Sequence, residues 1–241
     1  RVGDTYRFPG GLTGEITQSL TAEGAAVKIL KTSEPLEEPY FLSHGHVPLP
    51  PYIKREDEQL DARRYQTIYA SAVGSVAAPT AGLHMTESVE QQLKDQGIEI
   101  VDITLHVGLG TFLPIRTEHV EDHIMHRESY TISQDAADRI NCAKRAGTPV
   151  YALGTTSVRT LESAWRDGSL QPGTDSTQIY ITPGYDWKVT DGLFTNFHTP
   201  GSTLLVLVSA FAGADVIKRA YREAVEKQYR FFSYGDAMLI C

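Results

Sequence analysis

Cysteine is nearly missing from this chain: there are two in 241 residues, Cys142 and Cys241, far apart. Two thiols cannot build a thiolate metal site, and their separation contains no redox motif. The implied compartment is a reducing cytoplasm, where structural disulfides are rare. Long apolar runs are missing too. The longest, Leu204 to Ala212, falls well short of the ~20 residues a membrane-spanning helix needs, so no membrane partner is expected. No signal peptide is visible, and Arg1-Val-Gly-Asp4 reads as mid-chain text, which creates the expectation of a preceding N-terminal part. Positive charge is in deficit: 22 Lys and Arg stand against 30 Asp and Glu, a net charge of −8. Taken alone, that balance argues against a nucleic-acid partner, since phosphate binding needs clustered cations. Local basic clusters do exist at Arg63-Arg64, at Lys144-Arg145 and along Lys218, Arg219, Arg222, Lys227 and Arg230. On charge alone they read rather as solvated helix faces. Internal repeats and low-complexity tracts are absent.

What is present is an ordinary globular composition, 41% hydrophobic and 22% charged, in a chain long enough to bury a core. Residues 1–42 look β-rich. Thr5–Phe8 and Ala26–Leu30 are strand-like, with turn signals at Gly10-Gly11 and Glu23-Gly24. Prolines in His46-Val-Pro-Leu-Pro-Pro-Tyr52 enforce an extended segment. Beyond it the pattern alternates. Helices are expected over Thr86–Gln96, Ser133–Ala146, Val158–Arg166, from Ser202 to about Ala210, and Asp215–Tyr229. Strands are expected over Ile98–Leu105, Pro149–Leu153, Ile179–Thr182, Gly192–Thr195 and Ala237–Ile240. Thr86 and Ser133 are the expected N-caps, with Gly97 and Gly147 as stops. Such alternation implies an α/β domain with a largely parallel sheet.

Four loops carry candidate chemistry. In Leu105-His-Val-Gly-Leu-Gly-Thr-Phe112 a strand end delivers His106, and Gly108 and Gly110 let a ligand approach the backbone. The third glycine of a dinucleotide fingerprint is lacking. In Gly154-Thr-Thr-Ser-Val-Arg159 a strand feeds a helix whose N-terminal amides, hydroxyls and Arg159 suit a phosphate or carboxylate. The lysine of a nucleotide P-loop is lacking. In Thr195-Asn-Phe-His-Thr-Pro-Gly-Ser-Thr203, Phe197 is placed to stack on a base and Asn196 to read a base edge. In Ala78-Pro-Thr-Ala-Gly-Leu-His-Met-Thr86 a turn delivers Thr80 and His84 beside a helix start. Each loop also has a plain structural reading: a turn, a capped helix, a satisfied core histidine, a cap. His119, His123 and His126 would share one face if helical, but the residues after Arg127 look extended, so no metal is expected.

These loops occur together, in this order, in one family. Ala78–Thr86, Thr104–Phe112, Met125-His126, Gly154–Glu162, Thr195–His198 and Arg230-Phe-Phe-Ser-Tyr-Gly-Asp-Ala-Met-Leu-Ile240, with His46–Ile53 and Arg64–Tyr69, resemble the S-adenosylmethionine:tRNA ribosyltransferase-isomerases of queuosine synthesis. The resemblance is close over 46–241 and loose over 1–45. Met85 stands where the family usually has Phe. The resemblance implies two parts: a partial β-barrel domain over 1–45, whose N-terminal portion is missing, and an α/β catalytic domain over 46–241. It implies transfer and isomerisation of the ribosyl moiety of S-adenosylmethionine onto 7-aminomethyl-7-deazaguanine at the tRNA wobble position. Epoxyqueuosine forms, and adenine and methionine leave. S-adenosylmethionine is then a consumed substrate rather than a cofactor, and the tRNA anticodon stem-loop is the partner.

That chemistry needs proton movers working near neutral pH, for which histidine is best suited. His106 or His84 is the expected base, and His198 or His126 the expected acid. Gly108, Gly110 and Thr111 are expected against S-adenosylmethionine, while Thr155, Thr156 and Arg159 would hold a carboxylate or phosphate. Thr80, Asn196 and Phe197 complete the expected substrate-binding set. Two alternatives stay open: a methyltransferase using the same cosubstrate, and a noncatalytic tRNA-binding relative.

Overall fold

The computed structural model describes residues 1–22, 25–50, 52–75, 77–108, 123 and 125–241. It divides into two compact units, Arg1–Gln59 and Leu60–Cys241.

The first unit is a meander of β1 (Thr5–Arg7), β2 (Thr13–Ala22) and β3 (Ala25–Thr32), paired antiparallel in the order β1-β2-β3. A 3-10 turn over Pro9–Gly11 joins β1 to β2, with Gly10 at φ 74, a backbone region that costs glycine nothing. A register shift between Ile16 and Gln18 bends β2. In this sheet region Leu12 and Ile16 are buried, whereas Leu20, Ile29 and Leu30 stay exposed. The expected barrel remnant is thus described as an open three-stranded sheet. The turn expected at Glu23-Gly24 lies outside the described residues. A short helix not anticipated from sequence, α1 (Glu38–His44), starts where Pro39 supplies a preset φ in the first turn. In the proline-rich stretch, Asp57 accepts from Val47 N–H at 2.9 Å and bonds the His46 ring at 2.7 Å. The Val47 contact is the main reason its carboxyl pKa is lowered.

In the second unit the helices are α2 (Gln59–Arg64, its first residue belonging to the first unit), α3 (Glu87–Asp95), α4 (Gln134–Ala146), α5 (Thr155–Ala164), α6 (Thr203–Ala212) and α7 (Ala214–Glu226). The strands are β4 (Thr104–His106), β5 (Glu128–Ile132), β6 (Tyr151–Leu153), β7 (Trp165–Arg166), β8 (Ser169–Leu170), β9 (Gly173–Thr177), β10 (Gly192–Asn196) and β11 (Ala237–Ile240). Caps set the helix starts: Thr86, Ser133 and Ser202 each accept through the hydroxyl from the amide three residues on. Gly147 ends α4 in the left-handed conformation. No helix of the described residues is long and apolar enough to cross a membrane.

Helices and sheets are mixed as expected, but the sheet is not largely parallel among the described residues. Two small sheets form, ordered β11-β10-β6 and β4-β5-β9, plus the β7-β8 hairpin. Among the described residues only β10–β6 is parallel; α5 and the chain up to β10 supply the crossover that a parallel pair requires. Segments between them return at once and pair antiparallel. Asp167 at φ 52 and Gly168 at φ 78 make the two-residue turn that favours a hairpin, so the helix expected to reach Arg166 stops at Ala164. Ile179–Thr182 forms no strand, because the Ile179 carbonyl accepts from Arg159 rather than from a neighbouring strand. The main core gathers Ile132, Val158, Leu170, Ile181, Val189, Leu193 and Val208, and a smaller cluster centres on Phe197, Ala224 and Met238. Together they hold the C-terminal end of β10 between two apolar masses.

Candidate active site

Asn196 is the hub of the polar site. It ends β10 and is 3% exposed. Thr80 Oγ1 donates to its Oδ1 at 3.2 Å, and its Nδ2 reaches the Phe232 carbonyl at 3.2 Å and His84 Nε2 at 2.7 Å. Three separate motifs therefore meet on one amide. The Thr80–His84 turn is brought in by tight backbone approach: a Cβ on Gly82 would stand 2.8 Å from the Thr67 methyl. On the other side the chain folds back at Gly235, where a Cβ would overlap the carbonyls of Arg230 and Phe231. Tyr234 donates to Asp61 at 2.9 Å and stands edge-on to Tyr65, which ties α2 to this bend. His84 packs edge-on against Phe194 at 5.7 Å. Burial lowers its pKa, partly offset by the Asp236 carboxylate.

A second constellation forms where the His126 region meets α5. Glu128, 2% exposed, is clamped on both oxygens: Oε2 pairs with Arg159 at 2.6 Å and Oε1 with His126 Nε2 at 3.0 Å. Arg159, 3% exposed, also donates to the carbonyls of Ile179 and His126. Burial lowers the arginine's pKa against the upward pull of Glu128. The fork expected to meet a ligand's carboxylate or phosphate is thus engaged with a carboxylate of the protein itself. An ionised carboxylate only accepts, so His126 carries a proton on Nε2, the arrangement by which an acid orients a proton-moving imidazole.

Other expected residues fall elsewhere. His198 is buried, its ring against Thr195 Oγ1 at 3.1 Å, and its backbone amide donates to Tyr221 at 2.8 Å. Burial pushes its pKa down to about 4, which favours the uncharged ring at neutral pH. Phe197 is packed by Tyr221, Tyr229 and Phe231, which leaves its faces no room for a base. Phe197 belongs to the smaller apolar cluster, and His198, just past the end of β10, is buried as well. His106 ends β4. There Ser75 Oγ donates to the Leu105 carbonyl and accepts from Val107 N–H, and Gly74 lies against the ring. Gly108 is half-buried, Thr155 is buried and Thr156 is half-buried, the last two in the first turn of α5 behind Gly154 at φ 89. Gly110, Thr111 and His119 lie outside the described residues. Among the described residues no group of His, Cys, Asp and Glu could hold a metal.

Sequence reasoning missed Glu128 as His126's partner, and Glu162. Glu162 is 4% exposed, and its carboxylate accepts from the amides of Lys188, Val189 and Thr190 and from the Tyr185 hydroxyl.

The family model described as queuosine biosynthesis protein matches residues 1–240. The chain is 52% identical over 240 residues to an S-adenosylmethionine:tRNA ribosyltransferase-isomerase of Treponema denticola, covering 99% of this chain and 69% of that one. It is 56% identical over 196 residues to the protein of that name in Legionella pneumophila, covering 81% and 58%. A crystal structure of S-adenosylmethionine tRNA ribosyltransferase from Thermotoga maritima is similar at 30% identity and a TM-score of 0.55, over 100% of this chain and 66% of that one. The chain therefore spans between 58% and 69% of the length of these relatives.

Proposed function

Because this chain belongs to the queuosine biosynthesis protein family, we propose that it carries the catalytic part of an S-adenosylmethionine:tRNA ribosyltransferase-isomerase. The substrates are S-adenosylmethionine, consumed rather than recycled, and a tRNA bearing 7-aminomethyl-7-deazaguanine at the wobble position of its anticodon stem-loop. The products are epoxyqueuosine-tRNA, adenine and methionine. The setting is the cytoplasm, and no metal or further cofactor takes part. The supporting observation is that relatives bearing this activity's name align along 99% of the chain.

The chemistry asks for a base, an acid and a way to hold a nucleoside. The sulfonium acidifies the hydrogens on its neighbouring carbon; a base removes one, and ring opening expels adenine. The neutral aminomethyl group attacks, and closure to the epoxide displaces methionine. His126 is the best-equipped proton mover, because Glu128, itself held by Arg159, fixes the orientation of its ring. His106, at the end of β4, is the remaining candidate partner. Gly108, with Gly110 and Thr111, is the proposed bed for S-adenosylmethionine, and Thr155 and Thr156 offer the start of α5 to an anion. Lys218, Arg219 and Arg222 lie exposed along α7 and suit the phosphates of the anticodon stem.

The test is to incubate the protein with S-adenosylmethionine and the modified tRNA and to separate the small products. Adenine and methionine in equal amounts are expected. S-adenosylhomocysteine would mean methyl transfer instead, and tRNA binding without adenine would mean a noncatalytic relative. Charge reversal at Lys218 and Arg222 should weaken tRNA binding and flatten its salt dependence by about one phosphate contact per residue changed.

A further inference from the structure

We propose that His84 is locked as a neutral imidazole with its proton on Nδ1, and that this N–H is a hydrogen-bond donor to an acceptor atom of the bound nucleoside substrate, not the base. Phe232 presents a carbonyl that can only accept. Its 3.2 Å contact therefore identifies the facing atom of Asn196 as the amide nitrogen. Thr80 Oγ1, 3.2 Å from the other atom, is a donor to the amide oxygen. The Phe232 carbonyl decides the orientation of Asn196, and the Thr80 hydroxyl, which can donate or accept, is compatible with it. One amide hydrogen goes to Phe232, and the second points at His84 Nε2, 2.7 Å away. That nitrogen has to present its lone pair, which places the ring proton on Nδ1.

Protonating the ring would set two donors face to face at Nε2. Turning the amide over to relieve them would press its oxygen against the Phe232 carbonyl. Water cannot step in, since Asn196 is 3% exposed. Asp236 is the charged group whose field favours the cationic ring, and burial opposes it. Among the described residues Nδ1 has no hydrogen-bond partner, while the side chain is half-buried rather than enclosed. A donor directed out of a fixed network is suited to a ring nitrogen, hydroxyl or carboxylate oxygen, and it repels a sulfonium or ammonium. A neutral imidazole N–H polarises an acceptor without giving up its proton. His126, held by Glu128 with the opposite nitrogen protonated, does the complementary work. The inference thus narrows the two sequence-level candidates for the base and, as to the ligand, rests on the function proposed above.

Nitrogen-15 NMR of the histidine rings in the folded chain tests the lock without any substrate. The expected result at neutral pH is a protonated Nδ1 and an unprotonated Nε2 on His84. In Asn196→Asp the carboxylate should draw the proton to Nε2. A wild-type ring protonated on Nε2 would overturn the proposal. The ligand role is read from the affinity for S-adenosylmethionine in two variants. In His84→Asn the amide N–H falls near the Nδ1 position, and in His84→Gln the amide falls near Nε2. Loss of one hydrogen bond is worth about tenfold, so His84→Asn should bind about tenfold more tightly than His84→Gln. Equal affinities, together with a loss of adenine release of about 10²-fold or more in both, would make His84 a base and sink the donor role. If the wild-type protein releases no adenine at all, the function proposed above fails, while the NMR result still decides the tautomer.

Discussion

Replacing Glu162 with Ala should unfasten the Tyr185–Thr190 loop that leads into β10 and so into Asn196. Two of the amides that Glu162 receives, those of Val189 and Thr190, are buried, at 3.1 and 2.9 Å; Lys188 N–H lies at 3.0 Å and the Tyr185 hydroxyl at 3.3 Å. Hydrogen bonds to a charged acceptor contribute roughly 1.5–3 kcal/mol each, and a buried amide left without a partner costs about 1–3 kcal/mol. Two stranded amides, less the relief of no longer burying a carboxylate, come to about 4 kcal/mol. In a domain of this size each kcal/mol moves the melting midpoint by roughly 2–4 °C, so Glu162→Ala should melt about 12 °C lower in a calorimetric scan. Glu162→Gln keeps one acceptor oxygen for the Val189 and Thr190 pair but turns its amide against Lys188 N–H, and should lie near half that drop. The hydroxyl of Tyr185, pushed up to about 12 by burial and then by the Glu162 carboxylate, should titrate lower in the alanine variant when followed by ultraviolet absorbance. A melting shift under about 3 °C for Glu162→Ala would refute the reasoning, because water or loop movement would then be satisfying those amides.

Acid stability should report on His198. Its folded pKa of about 4 lies below the ordinary 6.5, so the unfolded chain takes up a proton that the folded one refuses. No effect is expected above pH 6.5, and stability falls from there to about pH 4, by about 3 kcal/mol in all. His198→Gln should flatten that part of a urea-midpoint against pH plot. Arg159→Met strands the Glu128 carboxylate in the core and should cost about 3–5 kcal/mol, whereas the double change with Glu128→Gln should recover much of that; equal urea midpoints for the single and double variants would count against a paired buried charge. Gly74→Ala sets a Cβ 2.6 Å from His106 Nδ1 at a φ of +148, so the His106 ring resonances should shift and the melting point should drop by the equivalent of about 1 kcal/mol. Unmoved resonances would show that the loop yields instead of the ring.

Local interactions were legible in the residues. Thr86, Ser133 and Gly147 mark helix ends, because a cap is a contact between neighbours a few positions apart and needs no knowledge of the rest of the chain. Loop-borne chemistry at strand ends was legible too, since glycine and proline announce where the backbone must turn. The ranking of the histidines was not. His84, His126 and His198 are alike as letters, yet one faces an amide, one a carboxylate and one a hydroxyl in the core. The amide that decides the first stands 112 positions away, and the arginine that steadies Glu128 stands 31 positions away. Proton affinity depends on burial and on the charge and hydrogen-bonding sense of whatever lies within about 3 Å. The sequence by itself settled which side chains were available for proton transfer; only the tertiary structure, by bringing distant partners into contact, decided which group each of these rings faces.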